Sequence, residues 1–445
     1  MKVLFIVQGE GRGHLTQAIT LSEALRASGH EVVEVLVGRS KTRQIPSFFE
    51  RSVSAPVRQF ESPNFLPASK PNITKSVAYN LMLFPRFVAG MRFIRRRIKE
   101  SGADLVVNFY DLLTGLTYLC FSPDVPQVSI GHQYLFLHSD FKLPAANRME
   151  LLMLRLYTAV TGYGASERLA LSFREMEDDE KKHIRIVPPL LRKEILACSV
   201  TNGSYIHGYM LNAGFSESVI SWHAAHPQVA LNFFWDKKEY GRVYKVDETL
   251  TFNYIDDNKF IESMAGCKAY ATTAGFESVC EAMYLGKPIM MVPAHIEQEC
   301  NAFDAEQCGA GVVSEGFDIE RLLSFAETYR PDADFHRWVS FGSTRIVAAL
   351  ERVCAQHQRG VRGFVSSPSW GNGQMEDGLG VATTSEVRPF GVNAKSPALQ
   401  KVPSACSTYL GELKQKEEKR SRAYVLFEDF YLYLRRMLLP LTHPF

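Results

Sequence analysis

Tyr254 to Ala302 reads YIDDNKFIESMAGCKAYATTAGFESVCEAMYLGKPIMMVPAHIEQECNA, and the order of signals in it decides the fold. Ala269 to Thr273 (AYATT) spells a short strand that Gly275 breaks in a tight turn. Phe276 to Leu285 has helical spacing, with Val279, Ala282, Met283 and Leu285 available for one apolar side. Gly286 suits the position just past that helix, and Pro288 prevents its continuation. Pro288 to Pro293 (PIMMVP) is apolar enough for a buried strand, and a second helix starts after it. Polar groups collect where strands end and helices begin: Thr272, Thr273, Gly275, Glu277 and Ser278 at one junction, Glu297 to Asn301 at the next. Ligands of open α/β sheets bind outside the carboxyl ends of the strands. Free backbone N–H groups at a helix start make an anion site there.

The amino terminus repeats this grammar. Lys2 to Val7 (KVLFIV) is a near-continuous apolar run, as in a strand covered on both faces. A glycine loop follows, then an amphipathic helix over Leu15 to Ala27, a stop at Gly29 and a second strand over Glu31 to Val37. Such a β-loop-α-β opening implies a parallel sheet. The loop, Gly9-Glu10-Gly11-Arg12-Gly13-His14, lacks the glycine spacing of a dinucleotide fingerprint. Strand two also ends Val37-Gly38-Arg39-Ser40 rather than on an acid, and no Gly-Lys-Ser/Thr is present for a P-loop. Ala103 to Phe109 and Val128 to Ile130 read as further core strands, with Asp111 and Gly131-His132-Gln133 just past their carboxyl ends.

Ile184 to Val187 is the last strand of the first half, and Pro188-Pro189 marks a crossing over about 188–200. Ser204 to Leu211, Phe215 to His226 and Val229 to Trp235 then form a second β-α-β unit, with Asn212-Ala213-Gly214 at its first strand end. We expect three regions: an amino-terminal Rossmann-like domain over 1–195, a second over 196–356, and an extension over 357–445. The extension combines a Gly-, Ser-, Pro- and Val-rich linker with a terminal amphipathic helix.

Five motifs between residues 254 and 302 stand in an order that resembles the donor-nucleotide region of GT-B glycosyltransferases. They are Tyr254-Ile255-Asp256-Asp257; the small-residue strand end; Gly275, Ser278 and Glu281; Gly286-Lys287-Pro288; and Pro293 to Glu297-Gln298. The likeness is to the peptidoglycan lipid-intermediate N-acetylglucosaminyl transferase and to the UDP-glycosyltransferases. Position 274 is Ala, and the H-C-G-W box of the plant-type enzymes is absent. The resemblance implies two facing doubly wound α/β domains, the second holding a nucleotide sugar, and transfer of a hexosyl group to an acceptor hydroxyl with inversion. On that reading Ile255 addresses the base edge. The main-chain N–H groups after Gly275, from Phe276 on, hold a phosphate with the Ser278 hydroxyl, Thr273 and Glu277 belong to the same donor set, Glu281 takes the ribose, and Glu297 with Gln298 bonds the sugar. Asn212 and Gly214 lie by the diphosphate.

Gly11, Gly13 and His132 would line the acceptor or the diphosphate, and His14 would be the general base, since imidazole titrates near neutrality. Asp111 would orient it. For His14 a helix-capping or phosphate-contact role stays open, for Asp111 a helix cap, and for His132 a structural hydrogen bond. A UDP-N-acetylglucosamine 2-epimerase and a non-catalytic nucleotide-sugar binding protein are the alternatives.

Composition narrows the partners. Apolar residues at 46% and charged residues at 22% describe a globular protein, and a net charge of +2 gives no general attraction to nucleic acid. Eight scattered cysteines without a C-x-x-C suggest reduced thiols, and no metal or other cofactor is expected. Asp332-Ala333-Asp334 reads as a helix cap. No signal peptide or membrane span is legible, so a cytoplasmic location is expected. Tyr79 to Lys99 (YNLMLFPRFVAGMRFIRRRIK) is a basic amphipathic segment with two readings. It is either a core-packed helix with solvated arginines, or a helix in the headgroup plane of an anionic membrane that brings the enzyme to a lipid-linked, cell-envelope acceptor.

Overall fold

In the computed structural model the described residues are 1–40, 44–63, 73–210 and 213–365. The first strand, β1 (Lys2–Gln8), shows how the sequence builds the amino-terminal half. Val3 to Val7 are all fully buried because helices cover both faces. Strand periodicity sends Val3, Phe5 and Val7 to one face and Leu4 and Ile6 to the other. The first set packs on the helix Arg12–Ala27 through Leu15, Ala18, Leu21 and Leu25. The second packs on Ile94 and Ile98 of the helix Ile73–Glu100.

The remaining strands of this sheet are β2 (Glu31–Arg39), β3 (Val57–Glu61), β4 (Leu105–Phe109), β5 (Gln127–Gly131), β6 (Ala165–Leu171) and β7 (Ile184–Val187). Their order is β3-β2-β1-β4-β5-β6-β7, with every pairing parallel.

The second half repeats the plan with β8 (Tyr205–Tyr209), β9 (Ala230–Trp235), β10 (Val243–Lys245), β11 (Leu250–Tyr254), β12 (Ala269–Thr272), β13 (Ile289–Met291) and β14 (Gly311–Val313). The order is β10-β11-β9-β8-β12-β13-β14. Only the edge strand β10, which the sequence did not announce, runs antiparallel. Each sheet therefore reverses its winding beside its first strand, at β1/β4 and at β8/β12. These are the crevices where doubly wound sheets take ligands.

Glycines end three helices in the same way. After Phe276–Tyr284, the N–H of Gly286 (φ 64°) bonds Met283 O and that of Lys287 bonds Ala282 O, a Schellman cap. Gly29 and Gly309 repeat the pattern. The quoted stretch also holds a helix, Asp257–Gly266, capped by the Asp256 carboxylate on the Lys259 N–H.

Asp332 caps the helix Ala333–Ser340 as expected, and that helix ends at Phe341. A second helix, Gly342–Val365, follows and extends nine residues past position 356. It returns to the first sheet, where Arg352 bonds Glu167 of β6. The described residues fall within one compact unit. Among them, no helix is long and apolar enough to cross a membrane. The 366–445 part of the extension lies outside the described residues.

Candidate active site

The loop after β1 delivers the first catalytic candidate. Gly9 donates to Gly38 O at 2.7 Å, and a side chain there would collide with Val37. Gly11 precedes the helix Arg12–Ala27, which no side chain caps. His14 stands in the first turn of that helix, 7% exposed. Its Nδ1 lies 3.4 Å from Gln17 Oε1, and its ring stacks on Tyr110 with 5.6 Å between centroids. Tyr110, just past β4, is held at φ 62°, and its hydroxyl meets Thr158 Oγ1 at 2.7 Å. Burial lowers the pKa of His14, against the opposing field of Glu297, so the ring is neutral at pH 7.

Asp111 makes no hydrogen bond to His14. One carboxylate oxygen accepts from the N–H and hydroxyl of Thr114, both at 2.9 Å, and so caps the helix Leu112–Phe121. The other accepts from Ser62 Oγ at 2.8 Å and lies against Gly38, where any Cβ would strike it. The carboxylate thus points to the β2–β3 side of the sheet while it caps the helix. His132 is engaged by protein groups on one side of its ring, while its buried Nε2 has no hydrogen-bond partner among the described residues. Its Nδ1 is 2.7 Å from Leu171 O, its ring stacks on Phe276 at 3.9 Å, and burial lowers its pKa to about 3.

Residues past the strands of the second sheet meet this site. Past β12, Thr273 is buried and Ala274, at φ 60°, makes the sharp turn that the sequence assigned to Gly275. Gly275 is extended and precedes the helix Phe276–Tyr284, which also lacks a side-chain cap, and the Glu277 carboxylate lies against its own N–H in the first turn. The Ser278 hydroxyl donates back to Gly275 O at 3.1 Å.

Glu277 turns toward the first half: it accepts from Gln17 Nε2 and lies over Gly13, where a methyl would overlap its carboxylate. Burial, and then the like charges of Glu297 and Glu281, raise its pKa to about 7.

The rest of the donor set is engaged as follows. Glu281 is 3% exposed and takes a two-pronged bond from Arg192, Nε to Oε1 at 2.7 Å and Nη2 to Oε2 at 2.8 Å. Glu297 accepts from Gln133 Nε2 at 2.9 Å. Gln298 Oε1 accepts from the Ala294 N–H at 2.9 Å. Ile255 is fixed by its N–H on Trp235 O, at the end of β9. Gly214 is exposed in the short turn Ala213–Phe215, and Asn212 lies outside the described residues. Among the described residues no group of three His, Cys, Asp or Glu side chains could hold a metal ion.

Two crevices that face one another, an uncapped helix start on each side and a histidine between them make a site for an anionic donor and a proton acceptor. The profile of the family described as Glycosyl transferase family 1 matches residues 1–329. The chain belongs to that family. This glycosyltransferase is also similar in fold to solved structures. The glycotransferase of kitacinnamycin gives TM-score 0.56 at 15% identity, covering 79% of this chain and 99% of that one. Arabidopsis thaliana UGT89C1 complexed with quercetin gives 0.53 at 15%, with 79% and 99% covered. CalG4, the calicheamicin glycosyltransferase, gives 0.52 at 16%, with 79% and 98% covered. No curated protein matches the sequence. The fold is GT-B.

Sequence reasoning passed over four residues that shape the site of this glycosyltransferase. Gln17 sits one helical turn after His14, and that spacing was the available signal. Tyr110 carried none, since a left-handed tyrosine cannot be read from its neighbours. Gln133 stood beside His132 and was overlooked. Arg192 reaches Glu281 across 89 positions of chain, which no local pattern reveals.

Proposed function

We propose that the protein transfers a hexosyl group from a nucleotide sugar, UDP-linked, to an acceptor hydroxyl, without a metal and with inversion. The observation that carries this is the meeting of the two switch-point loops, with Gly13 and Gln17 touching Glu277 and the uncapped helix start at Gly275 beside His14's helix. The amides of Phe276 to Ser278 hold the diphosphate, and their helix dipole offsets the charge of the leaving group. His14 takes the acceptor proton. Glu281 receives the ribose when Arg192 releases it, and Glu297 and Gln298 bond the sugar. The UDP assignment draws on UGT89C1, whose complexes with UDP and UDP-L-rhamnose share this fold at TM-scores of 0.54 and 0.51.

A lipid-linked acceptor at an anionic cytoplasmic membrane face is the finer part of the proposal. Arg92, Arg95, Arg96 and Lys99 form an exposed stripe on the helix Ile73–Glu100, whose Phe87, Met91, Ile94 and Ile98 are buried. This second half of the segment is thus core-packed, while the side chains of 79–85 lie outside the described residues. Arg95 and Arg96 lie over the rings of Phe121 and Phe93, which fixes the stripe in place.

Thermal shift with UDP, GDP, ADP, dTDP and NAD(P)H tests the donor. A ligand at 100 times its Kd adds about 2.7 kcal/mol. Stabilisation by NAD(P)H alone would overturn the assignment. Co-sedimentation with anionic but not zwitterionic vesicles tests the membrane contact.

A further inference from the structure

Gln17 is 1% exposed, so its amide depends on protein partners rather than water. Its Nε2 donates to Glu277 Oε1, and its Oε1 faces His14 Nδ1 at 3.4 Å. Above about pH 7 the Glu277 carboxyl is ionised and offers acceptors only, so the amide there turns its NH2 to Glu277 and its oxygen to His14. That oxygen in turn only accepts, so the imidazole nitrogen facing it must carry the proton. Nε2 is left with the lone pair.

We propose that Gln17 and Glu277 are positioning residues for His14. Anchored by Glu277 from the second half, Gln17 holds the ring in its Nδ1–H tautomer, so the base is set only while the two halves touch. This rests on reading His14 as the general base. In the transfer, the acceptor O–H bond breaks and its proton passes to Nε2. The acceptor oxygen bonds the anomeric carbon, and the bond from that carbon to the diphosphate breaks, its electron pair leaving on the diphosphate. The imidazolium keeps its Nδ1–H on Gln17 Oε1, with Glu277 behind the amide. Two further observations fit. Gly13 is the helix position that admits the Glu277 carboxylate, and Asp111, the carboxylate a histidine–acid pair would use, is taken by Ser62 and Thr114.

Nitrogen NMR of protein labelled with 15N-histidine reads the tautomer directly, with His14→Gln assigning the resonance and UDP affinity reporting that the fold is intact. Wild-type His14 should carry its proton on Nδ1. Gln17→Met should move the tautomer ratio toward Nε2–H by about fivefold, the weight of one ordinary hydrogen bond. The exchange Gln17→Glu with Glu277→Gln keeps an acceptor facing Nδ1 and a donor facing position 17, and should restore the wild-type ratio. Should Gln17→Met fail to fold, Glu277→Met frees the amide from the other side and gives the same readout. A wild-type ring protonated on Nε2, an unchanged ratio in the Met variant, or an exchange that fails to restore it would each overturn the relay. The base reading fails separately, if His14→Gln releases UDP from UDP-glucose and UDP-N-acetylglucosamine with acceptor as fast as wild type.

Discussion

Replacing Glu277 by Gln should make the protein more stable, and only at the alkaline end of its range. The carboxyl's pKa rises from 4.5 to about 7 in the fold, first by burial and then by Glu297 and Glu281. A raised carboxyl pKa means that the folded protein holds the proton more tightly than the unfolded chain. Below about pH 4.5 both states are protonated and nothing is lost. As pH climbs from there through 7, the unfolded chain ionises first and stability falls, and above 7 the full cost is in place. Each pH unit of that gap is worth about 1.4 kcal/mol, so the ceiling is about 3 kcal/mol.

Glu277 keeps partial solvent contact, which screens its charge, so about 2 kcal/mol is the expected change between pH 5 and 8. Gln has the same shape, stays neutral and can still accept from Gln17. Urea unfolding of both proteins at pH 5 and pH 8 measures the difference. The Gln variant should gain about 2 kcal/mol on wild type across that interval. A gap that stays constant to within about 0.5 kcal/mol, near the scatter of such extrapolations, would refute the electrostatic account.

Three further substitutions separate the roles at the cleft. His14→Ala should bind UDP as wild type does while turnover drops by about 10²-fold or more; equal loss of both would remove it from the chemistry. Asp111→Asn should leave turnover almost unchanged because Asn also caps helices, and Asp111→Ala should cost about 1 kcal/mol of stability in urea unfolding. A loss near 10⁴-fold for the Asn variant would instead reinstate Asp111 as the partner of His14. Glu281→Ala should lower stability by about 3–5 kcal/mol by stranding Arg192, and Arg192→Met in the same chain should recover much of that. Weak UDP binding that persists in the double variant would then belong to the ribose contact itself.

The fold was legible because its signals are local. Val3 to Val7 needed only an apolar run, and Gly29 and Gly286 needed only their place after a helix. The junctions at Gly275 and Glu297 were legible for the same reason, since a doubly wound sheet puts its strand ends at one edge. What escaped depends on contacts made elsewhere. Asp111 stands at the right edge for a partner of His14, but Ser62, 49 residues away, and Gly38 decide where its carboxylate points. Glycine was the natural owner of the turn after β12, yet Ala274 takes the left-handed conformation, its carbonyl bonded by Asn301 Nδ2 at 3.2 Å. The helix Asp257–Gly266 had its signal in Asp256, which the family likeness drew toward the base site instead.

Three of the ion pairs between the halves share one polarity, while Arg345 to Glu175 and Arg352 to Glu167 run the other way. Arg12, Arg174 and Arg192 come from the first half and the crossing segment, and Asp257, Asp304 and Glu281 come from the second. For anyone recombining glycosyltransferases by exchanging donor halves, this is a compatibility code written in charge. A foreign first half that lacks arginines at positions 174 and 192 would leave Asp304 and Glu281 buried without counter-ions, at about 3–5 kcal/mol each. Chimeras of this chain should therefore be chosen by the charges along the seam before any matching of donor sugar.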